Sequence, residues 1–400
     1  MITLINNNKN SITFITITTI FTLLIIYFLI SIYFNNHFLI GTYINGVNVS
    51  FKTVEEADNK LLNESYNYVL EIRERKDIIE YIKGDKINFK YNGTDKIGEL
   101  KKKQNGFLWP KFLFTKEDYN INNIYSYEKA LLDEEFNKLS CFDKENIIEP
   151  LDACFHYNGT EYEIIEEVYG NKVNKDYLYA YILNSVLIGR KAIDLEDINA
   201  YEYPDFTSTS EKVIEAQKQL NTFVATTVYY NFDDEIEILD GGIINEWLEV
   251  DQSMDVVLNE KKIKEYLNDL SVKYDTYGKT RTFKTTTGRT VEVVGGNYGW
   301  KIDKTKEFDE LINNVKNGET VKRKPLYIQE AWGTRENDIG NTYVEINLTN
   351  QCLWFYKNGE LIVQGDIVTG NVSRGNATPQ GTYVLNYKQK NATLKGPGYS

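Results

Sequence analysis

Hydrophobic and polar positions change their rhythm along this chain, and each change predicts a different element. Residues 11–34 (SITFITITTIFTLLIIYFLISIYF) carry no charge and are dominated by Ile, Leu, Phe and Thr. As a helix rising ~1.5 Å per residue, this run measures about 36 Å, enough to cross a hydrocarbon core of roughly 30 Å with some tilt. In lipid every backbone group must be bonded within the segment, so the modest helix propensity of Ile and Thr matters little. A cleaved signal peptide would carry a shorter apolar stretch, about 7–15 residues, ending in small side chains. Here the run closes on Ile-Tyr-Phe-Asn-Asn-His-Phe, so a retained transmembrane anchor is expected. Lys9 and the α-amino group precede it and Lys52 is the nearest cation after it. That asymmetry predicts a cytoplasmic N-terminus over residues 1–10 and an extracytoplasmic remainder.

Beyond the anchor the periods of strand and helix alternate. Asn45-Gly46 between apolar alternations predicts a two-residue hairpin, because a type I′ turn needs positive φ at both positions. Thr53 and Glu56 form a capping box, predicting a helix to about Tyr66 with Val54, Ala57, Leu61 and Leu62 on one face. Short alternating runs from Tyr68 to Tyr91 complete a β-α-β-β unit, residues 41–105. The section 106–324 repeats the grammar on a larger scale. It offers a hairpin around Tyr157-Asn158-Gly159-Thr160 and a helix over 173–187 with Leu178, Ile182 and Val186 on one face. A second capping box, Ser208 with Glu211, predicts a helix over 211–221. Asn259 caps a helix over 260–270, striped by Ile263, Tyr266, Leu267 and Leu270. All these stripes read as core.

Residues 281–286 and 290–294 alternate around Thr287-Gly288, a further hairpin. Gly295, Gly296 and Gly299 then allow tight turns beside Tyr298 and Trp300. A short helix and a charged link, Lys322-Arg-Lys-Pro, follow, and Pro325 with the polar run 333–342 marks a boundary. From Thr342 the pattern is strictly β: Tyr343, Glu345 and Asn347 alternate with Val344, Ile346 and Leu348, giving a strand with one apolar face. Further strands are predicted at 353–356, 361–369 and 382–387, as in a β-sandwich or partly open barrel. The fold class is therefore α+β: an N-terminal transmembrane helix, α+β modules, then an all-β segment over 342–400.

A formal net charge of −13 argues against a nucleic-acid binder, since no domain carries a clustered positive field. Cys141, Cys154 and Cys352 are too few for a disulfide framework; one Cys141–Cys154 bridge is left open. With only His37 and His156 and no C-x-x-C pair, a zinc site of His and Cys is not expected, nor is any cofactor. The run Asp233-Asp-Glu-Ile-Glu could hold a hard cation, but it lacks glycine-punctuated ligand spacing and reads as a solvated loop. Gly370 and Gly375 stand at Walker spacing without the following Lys-Ser/Thr, so this is a connection between strands. Cys154 and His156 would share a strand face, without an oxyanion site or orienting group that can be argued for them. Cys352, in a strand segment without histidine, reads as a small hydrophobe. The rings of Tyr298 and Trp300 could stack on sugars or plug the end of a sheet; both readings stay open.

The text Tyr343-Val-Glu-Ile-Asn-Leu-Thr-Asn-Gln-Cys-Leu-Trp-Phe-Tyr-Lys-Asn-Gly-Glu-Leu, with Val368-Thr-Gly and Ala377-Thr-Pro-Gln-Gly-Thr-Tyr, resembles the L,D-transpeptidase (YkuD-type) family of wall cross-linking enzymes. Tyr274-Asp-Thr, Arg281-x-Phe, Gly295-Gly and Tyr298-Gly-Trp resemble, in order, a peptidoglycan-binding module that commonly precedes such domains, here assigned to 106–324. The resemblance implies a membrane-anchored, wall-facing acyltransferase whose partners are peptidoglycan stem peptides and glycan. It implies a cysteine acyl-enzyme formed in a Ser-His-Gly-Cys segment with a histidine upstream. Neither occurs in residues 342–400. The resemblance therefore implies no catalytic residue in this chain, a nucleophile beyond residue 400, and inactivity of these residues alone. The alternative is a non-catalytic peptidoglycan-binding wall protein. By the same resemblance Val368-Thr-Gly and Thr378-Pro-x-Gly shape the cleft walls, and Leu394-x-Gly396-Pro-Gly-Tyr399 leads into it. The substrate-contact candidates are Trp300, Tyr298, Thr369 and Tyr399.

Overall fold

The apolar run folds as one helix, Ile2–Asn36, extending past the expected segment at both ends. The computed structural model describes residues 2–93, 95–233 and 235–393. Over Thr13–Asn36 the mean hydropathy is 2.4 and almost no surface is covered. Length and composition thus suffice to cross a membrane, a test that a signal sequence also passes. The chain divides into two compact units, Met1–Asp152 with Glu167–Asp205, and Ala153–Glu166 with Phe206–Ser400.

In the first unit the strands Thr42–Ile44 and Val47–Asn48 pair antiparallel, with Ile44 opposite Val47. Asn45 and Gly46 take φ of 48° and 77°, the turn their sequence predicts. Both hydrogen bonds of the Thr53/Glu56 capping box are made, and the helix Val54–Tyr66 buries Ala57 and Leu61. The strand Val69–Arg73 lies between Ile79–Lys83, antiparallel, and Ala192–Asp194, parallel. The helix Lys175–Leu187 is capped by Asn174 and buries Leu178, Ile182 and Val186, as its stripe predicts. These side chains meet Leu70, Ile72, Ile82 and Ile193 in one core.

The second unit repeats that sheet plan. Its central strand Thr227–Phe232 pairs antiparallel with Glu235–Leu239 and parallel with Thr320–Arg323. Helices Glu260–Tyr274 and Lys304–Asn317 cover it, with Tyr230, Phe232, Ile263, Leu267, Leu311 and Val315 buried between. The first runs past the 260–270 stripe, and the second, at 14 residues, is longer than the short helix expected there. The helix Glu211–Val224 forms without the predicted Ser208/Glu211 box. Ser210 occupies the cap position, and its hydroxyl accepts from Thr207 N at 2.9 Å instead of bonding the helix.

The C-terminal segment is a three-stranded antiparallel meander, Tyr343–Asn347, Cys352–Lys357 and Glu360–Asp366. Among the described residues the sheet stays open and no barrel closes. One expectation is corrected here: 382–387 is not a strand, and Thr382 makes a single bridge to Gly296. Its N and O are taken by Gly295 O and Asn297 N at 3.1 and 3.0 Å, so the chain docks on a glycine turn instead of a sheet edge. The apolar face of the first strand is also open, with Val344 52% exposed, while Glu345 is buried. The reason is local: the Glu345 carboxylate takes Thr286 N and Oγ1 at 3.0 and 2.5 Å from the neighbouring hairpin.

Candidate functional site

Gly295, Gly296 and Gly299 turn the chain after the strand Thr290–Val293, with φ of 78°, 101° and 131°. A Cβ on Gly296 would stand 1.9 Å from Thr382 O, so only glycine permits this approach. From this turn Tyr298 and Trp300 point inward, 6% and 5% exposed. Tyr298 Oη donates to Asp338 O and accepts from Trp332 N, both at 2.8 Å. Trp300 Nε1 donates to Gly333 O at 3.2 Å. Arg281 completes the knot: Nε and Nη2 each bond the Asp338 carboxylate at 2.7 Å, and Nη2 also reaches Thr276 O and Tyr298 O at 2.8 Å. Thr276 Oγ1 donates to the same carboxylate and accepts from Trp300 N.

The motif residues therefore tie segment 332–340 to the glycine turn. Arg335 lies 5.0 Å from the Trp300 ring and Tyr327 packs against it at the same distance. Of the two readings left open for these rings, burial favours the plug.

Thr369 stands where Gln351 clamps the chain. Thr369 N donates to Gln351 Oε1 at 2.8 Å, and Gln351 Nε2 donates to Thr369 Oγ1 at 2.5 Å. The Thr369 hydroxyl thus accepts one bond and keeps its own hydrogen to give. Gly370 N is held by Thr378 Oγ1 at 2.8 Å, which fixes the adjoining loop. Tyr399 lies outside the described residues. Cys352 is half-buried, opposite Asn347 and Asp366. All three cysteines are free thiols, so the Cys141–Cys154 bridge is not formed. His37 stacks on Tyr33 at the end of the first helix, and His156 faces Glu163 across a hairpin.

Sequence reasoning missed a cluster and a cleft. Glu74, just past the strand Val69–Arg73, and Glu80, in its partner Ile79–Lys83, meet Cys141. Burial, then hydrogen bonding to Glu80, pushes the Glu74 carboxyl up to about 8. Burial and the charges of Glu74 and Glu80 push the Cys141 thiol up to about 12, which leaves it protonated and inert. The only available signal was a pair of glutamates flanking Lys76 and Asp77, both at positive φ. The cleft, about 720 Å³, is lined by Asp152, Asn174, Tyr177, Tyr201, Tyr203 and Asp205 among others. Tyr177 is 44% and Tyr203 39% exposed. Their hydroxyls are fixed on Ile198 O and Glu196 at 2.8 and 2.9 Å, and Arg75 lies 4.1 Å from the Tyr201 ring. Rigid ring faces beside amide and carboxylate acceptors suit a polyhydroxylated ring. The cleft draws on segments far apart in sequence, which is why no motif announces it.

The acidic run is also resolved differently from either sequence reading. Asp233 turns the hairpin and pairs with Arg335 at 3.0 Å and Lys324 at 3.7 Å. Glu237 pairs with Lys273 and accepts from Tyr274 Oη, both at 2.7 Å. Asp233 and Glu237 thus meet side-chain cations, while Glu235 between them is exposed.

Comparison with protein families matches residues 82–194 and 206–322 to the family described as "Putative peptidoglycan binding domain", and residues 341–400 to the L,D-transpeptidase catalytic domain, YkuD. The first pair of matches spans more than half of the 400 residues, so the chain belongs to the family of peptidoglycan-binding-domain proteins. The YkuD match adds an L,D-transpeptidase segment and with it a role in cell-wall cross-linking. Two solved structures are similar. The Ldtfm–avibactam carbamoyl enzyme is 29% identical, with 46% of this chain and 71% of that one covered and a TM-score of 0.37. A cysteine-to-serine mutant of the Enterococcus faecium L,D-transpeptidase is 29% identical, with 46% and 72% covered and the same TM-score of 0.37. No curated protein matches.

Proposed function

We propose that this protein cross-links peptidoglycan as a membrane-anchored L,D-transpeptidase, with its modules facing the wall and its N-terminus in the cytoplasm. The observation that carries the reading is the order along one chain: an apolar helix, two matches to a peptidoglycan-binding domain, then a transpeptidase segment. In the reaction a cysteine thiolate attacks the carbonyl preceding a D-alanine of the donor stem, and D-alanine leaves on a protonated amine. The acceptor amine then displaces the thiolate from the thioester. Both steps need a base and oxyanion donors. Cys141 is buried and protonated, Cys352 lies in a strand whose segment has no histidine, and Cys154 lies far outside the transpeptidase match. On this reading the acylated cysteine is none of the three. Thr369, with its free O–H, lines the donor site, and the tyrosine cleft of the first unit contacts the glycan.

Acylation of the native membrane protein by a carbapenem, mapped by peptide mass spectrometry, tests this. The expected adduct sits on a peptide containing none of Cys141, Cys154 and Cys352, with little labelling by ampicillin. An adduct on Cys352, or equal labelling by both drugs, overturns the mechanism. A second reading, a non-catalytic wall-binding protein, draws on the absence of histidine from residues 341–400. It predicts binding to purified sacculi with no carbapenem adduct at all.

A further inference from the structure

Residues 106–114, Gly-Phe-Leu-Trp-Pro-Lys-Phe-Leu-Phe, play no part in the reading above, yet they are packed in an unusual way. They form a turn, Gly106–Leu108, and a short helix, Trp109–Phe112, lying along the N-terminal helix. Tyr27 Oη donates to Phe107 O at 2.9 Å. The Phe107 ring stands 6.3 Å from Tyr27 and 6.1 Å from Phe28, and Trp109 stands 6.2 Å from Tyr27. Gly106 makes the approach possible, because a Cβ there would meet Ser31 O at 2.6 Å. Higher up, Phe112 is buried with Phe34 and Leu39, and the Lys101 ammonium donates to Phe34 O at 2.8 Å, near the negative end of the helix dipole. Tyr27 precedes the helix end at Asn36 by nine residues, about 13 Å along the axis. The segment therefore lies beside the apolar helix well below its end.

What the segment leaves uncovered is as apolar as what it buries. Phe107, Leu108, Leu113 and Phe114 are exposed, Phe114 at 91%. Lys102, Lys103, Lys111 and Lys116 flank them and are also exposed. A contiguous apolar patch costs free energy in water and marks an interaction surface. Here it continues the surface of a membrane-spanning helix, and its aromatic side chains with flanking lysines match what settles at a bilayer interface. We infer that residues 106–114 are a second membrane-contact element, seated in the outer interfacial layer beside the anchor, with an anionic phospholipid surface as partner. The inference rests on the proposed anchoring. Its consequence is that the first unit is held to the bilayer at two points, which sets its height and tilt.

The test uses the full chain in vesicles of phosphatidylcholine and phosphatidylglycerol carrying a trace of phosphatidylcholine with a photoactivatable acyl chain. Adducts are mapped by mass spectrometry. Expected are adducts within 13–36 and within 106–114. The latter should fall roughly fivefold in the double variant Leu113→Gln/Phe114→Gln while anchor labelling holds. Both substituted side chains are exposed, so folding is not at stake. Adducts on the anchor alone, or no fall in the variant, overturn the inference and leave the anchor standing. Absence of adducts from both regions removes the anchoring as well. Equal labelling of 106–114 in pure phosphatidylcholine overturns the anionic partner.

Discussion

Glu74 is where pH should act most strongly on the first unit. Its carboxyl stands beside Glu80 and Cys141, and its Oε1 is buried without a hydrogen-bond partner. Glu80 Oε1, by contrast, accepts from Ser140 N and Oγ at 2.8 and 3.0 Å. The proton therefore resides on Glu74, whose pKa rises from 4.5 to about 8 through burial and then hydrogen bonding to Glu80. In the unfolded chain this group ionises near its ordinary value. Between pH 4.5 and about 8 the folded state thus binds more protons than the unfolded one. Stability must fall as pH rises through that window, and change no further above it. For a fully buried group the span would amount to about 5 kcal/mol. Glu74 is only half-buried, and solvent screening reduces the expectation to about 2 kcal/mol. Glu74→Gln keeps the shape and a donor but cannot ionise. The variant should match the wild type near pH 5 and exceed it by about 2 kcal/mol near pH 8.5. The assay is hydrogen exchange of amides in Val69–Arg73 and Ile79–Lys83, taken as variant minus wild type at each pH so that intrinsic exchange cancels. A difference that does not grow with pH, or a variant less protected near pH 8.5, refutes the reasoning.

Further outcomes are expected elsewhere. Glu307 is fully buried and holds Arg323 at 2.6 and 2.9 Å, Tyr230 Oη at 2.6 Å and Leu326 N at 2.7 Å. Glu307→Ala strands the arginine and should cost about 3–5 kcal/mol in urea unfolding followed by tryptophan fluorescence; a loss below about 1 kcal/mol contradicts this. Iodoacetamide should modify the exposed Cys154 first and leave Cys141 untouched until unfolding, read by peptide mapping; equal rates would count against the burial argument. Gly296→Ala should release residues 383–393 to limited proteolysis at a cost of about 2 kcal/mol, since both φ and the Thr382 contact forbid a side chain. Tyr177→Ala with Tyr203→Ala should weaken pelleting with purified sacculi severalfold, while unchanged pelleting places glycan contact elsewhere.

Local signals were legible and distant ones were not. The Asn45-Gly46 turn, the Thr53/Glu56 box and the stripe Leu178–Ile182–Val186 each depend on residues within one turn or helix, and each formed as read. The Ser208 box did not form: the helix starts at Glu211, with Ser210 in the cap position and its hydroxyl turned to Thr207 N. The parallel pairings of Thr42–Ile44 with Glu117–Tyr119 and of Val69–Arg73 with Ala192–Asp194 join segments with no mark in either sequence. Arg281 was visible as part of a motif, but its partner Asp338 sat in a run that reads as a polar boundary. Glu345 was assigned to a polar face that should meet water. A neighbouring turn with two donors drew that face inward.

The knot around Arg281 and Asp338 also changes what the stretch between module and transpeptidase segment can be. A flexible tether would make the encounter of the two segments a matter of effective concentration, diluted by every added residue. Here segment 332–340 is clamped by a bidentate ion pair, and Thr382 is fastened to the glycine turn. The meander is consequently fastened to the neighbouring hairpin, through Glu345 and Thr286, and to the glycine turn that follows it. The entropy of orienting these two segments is surrendered once, in folding, and a ligand touching both would meet them already ordered.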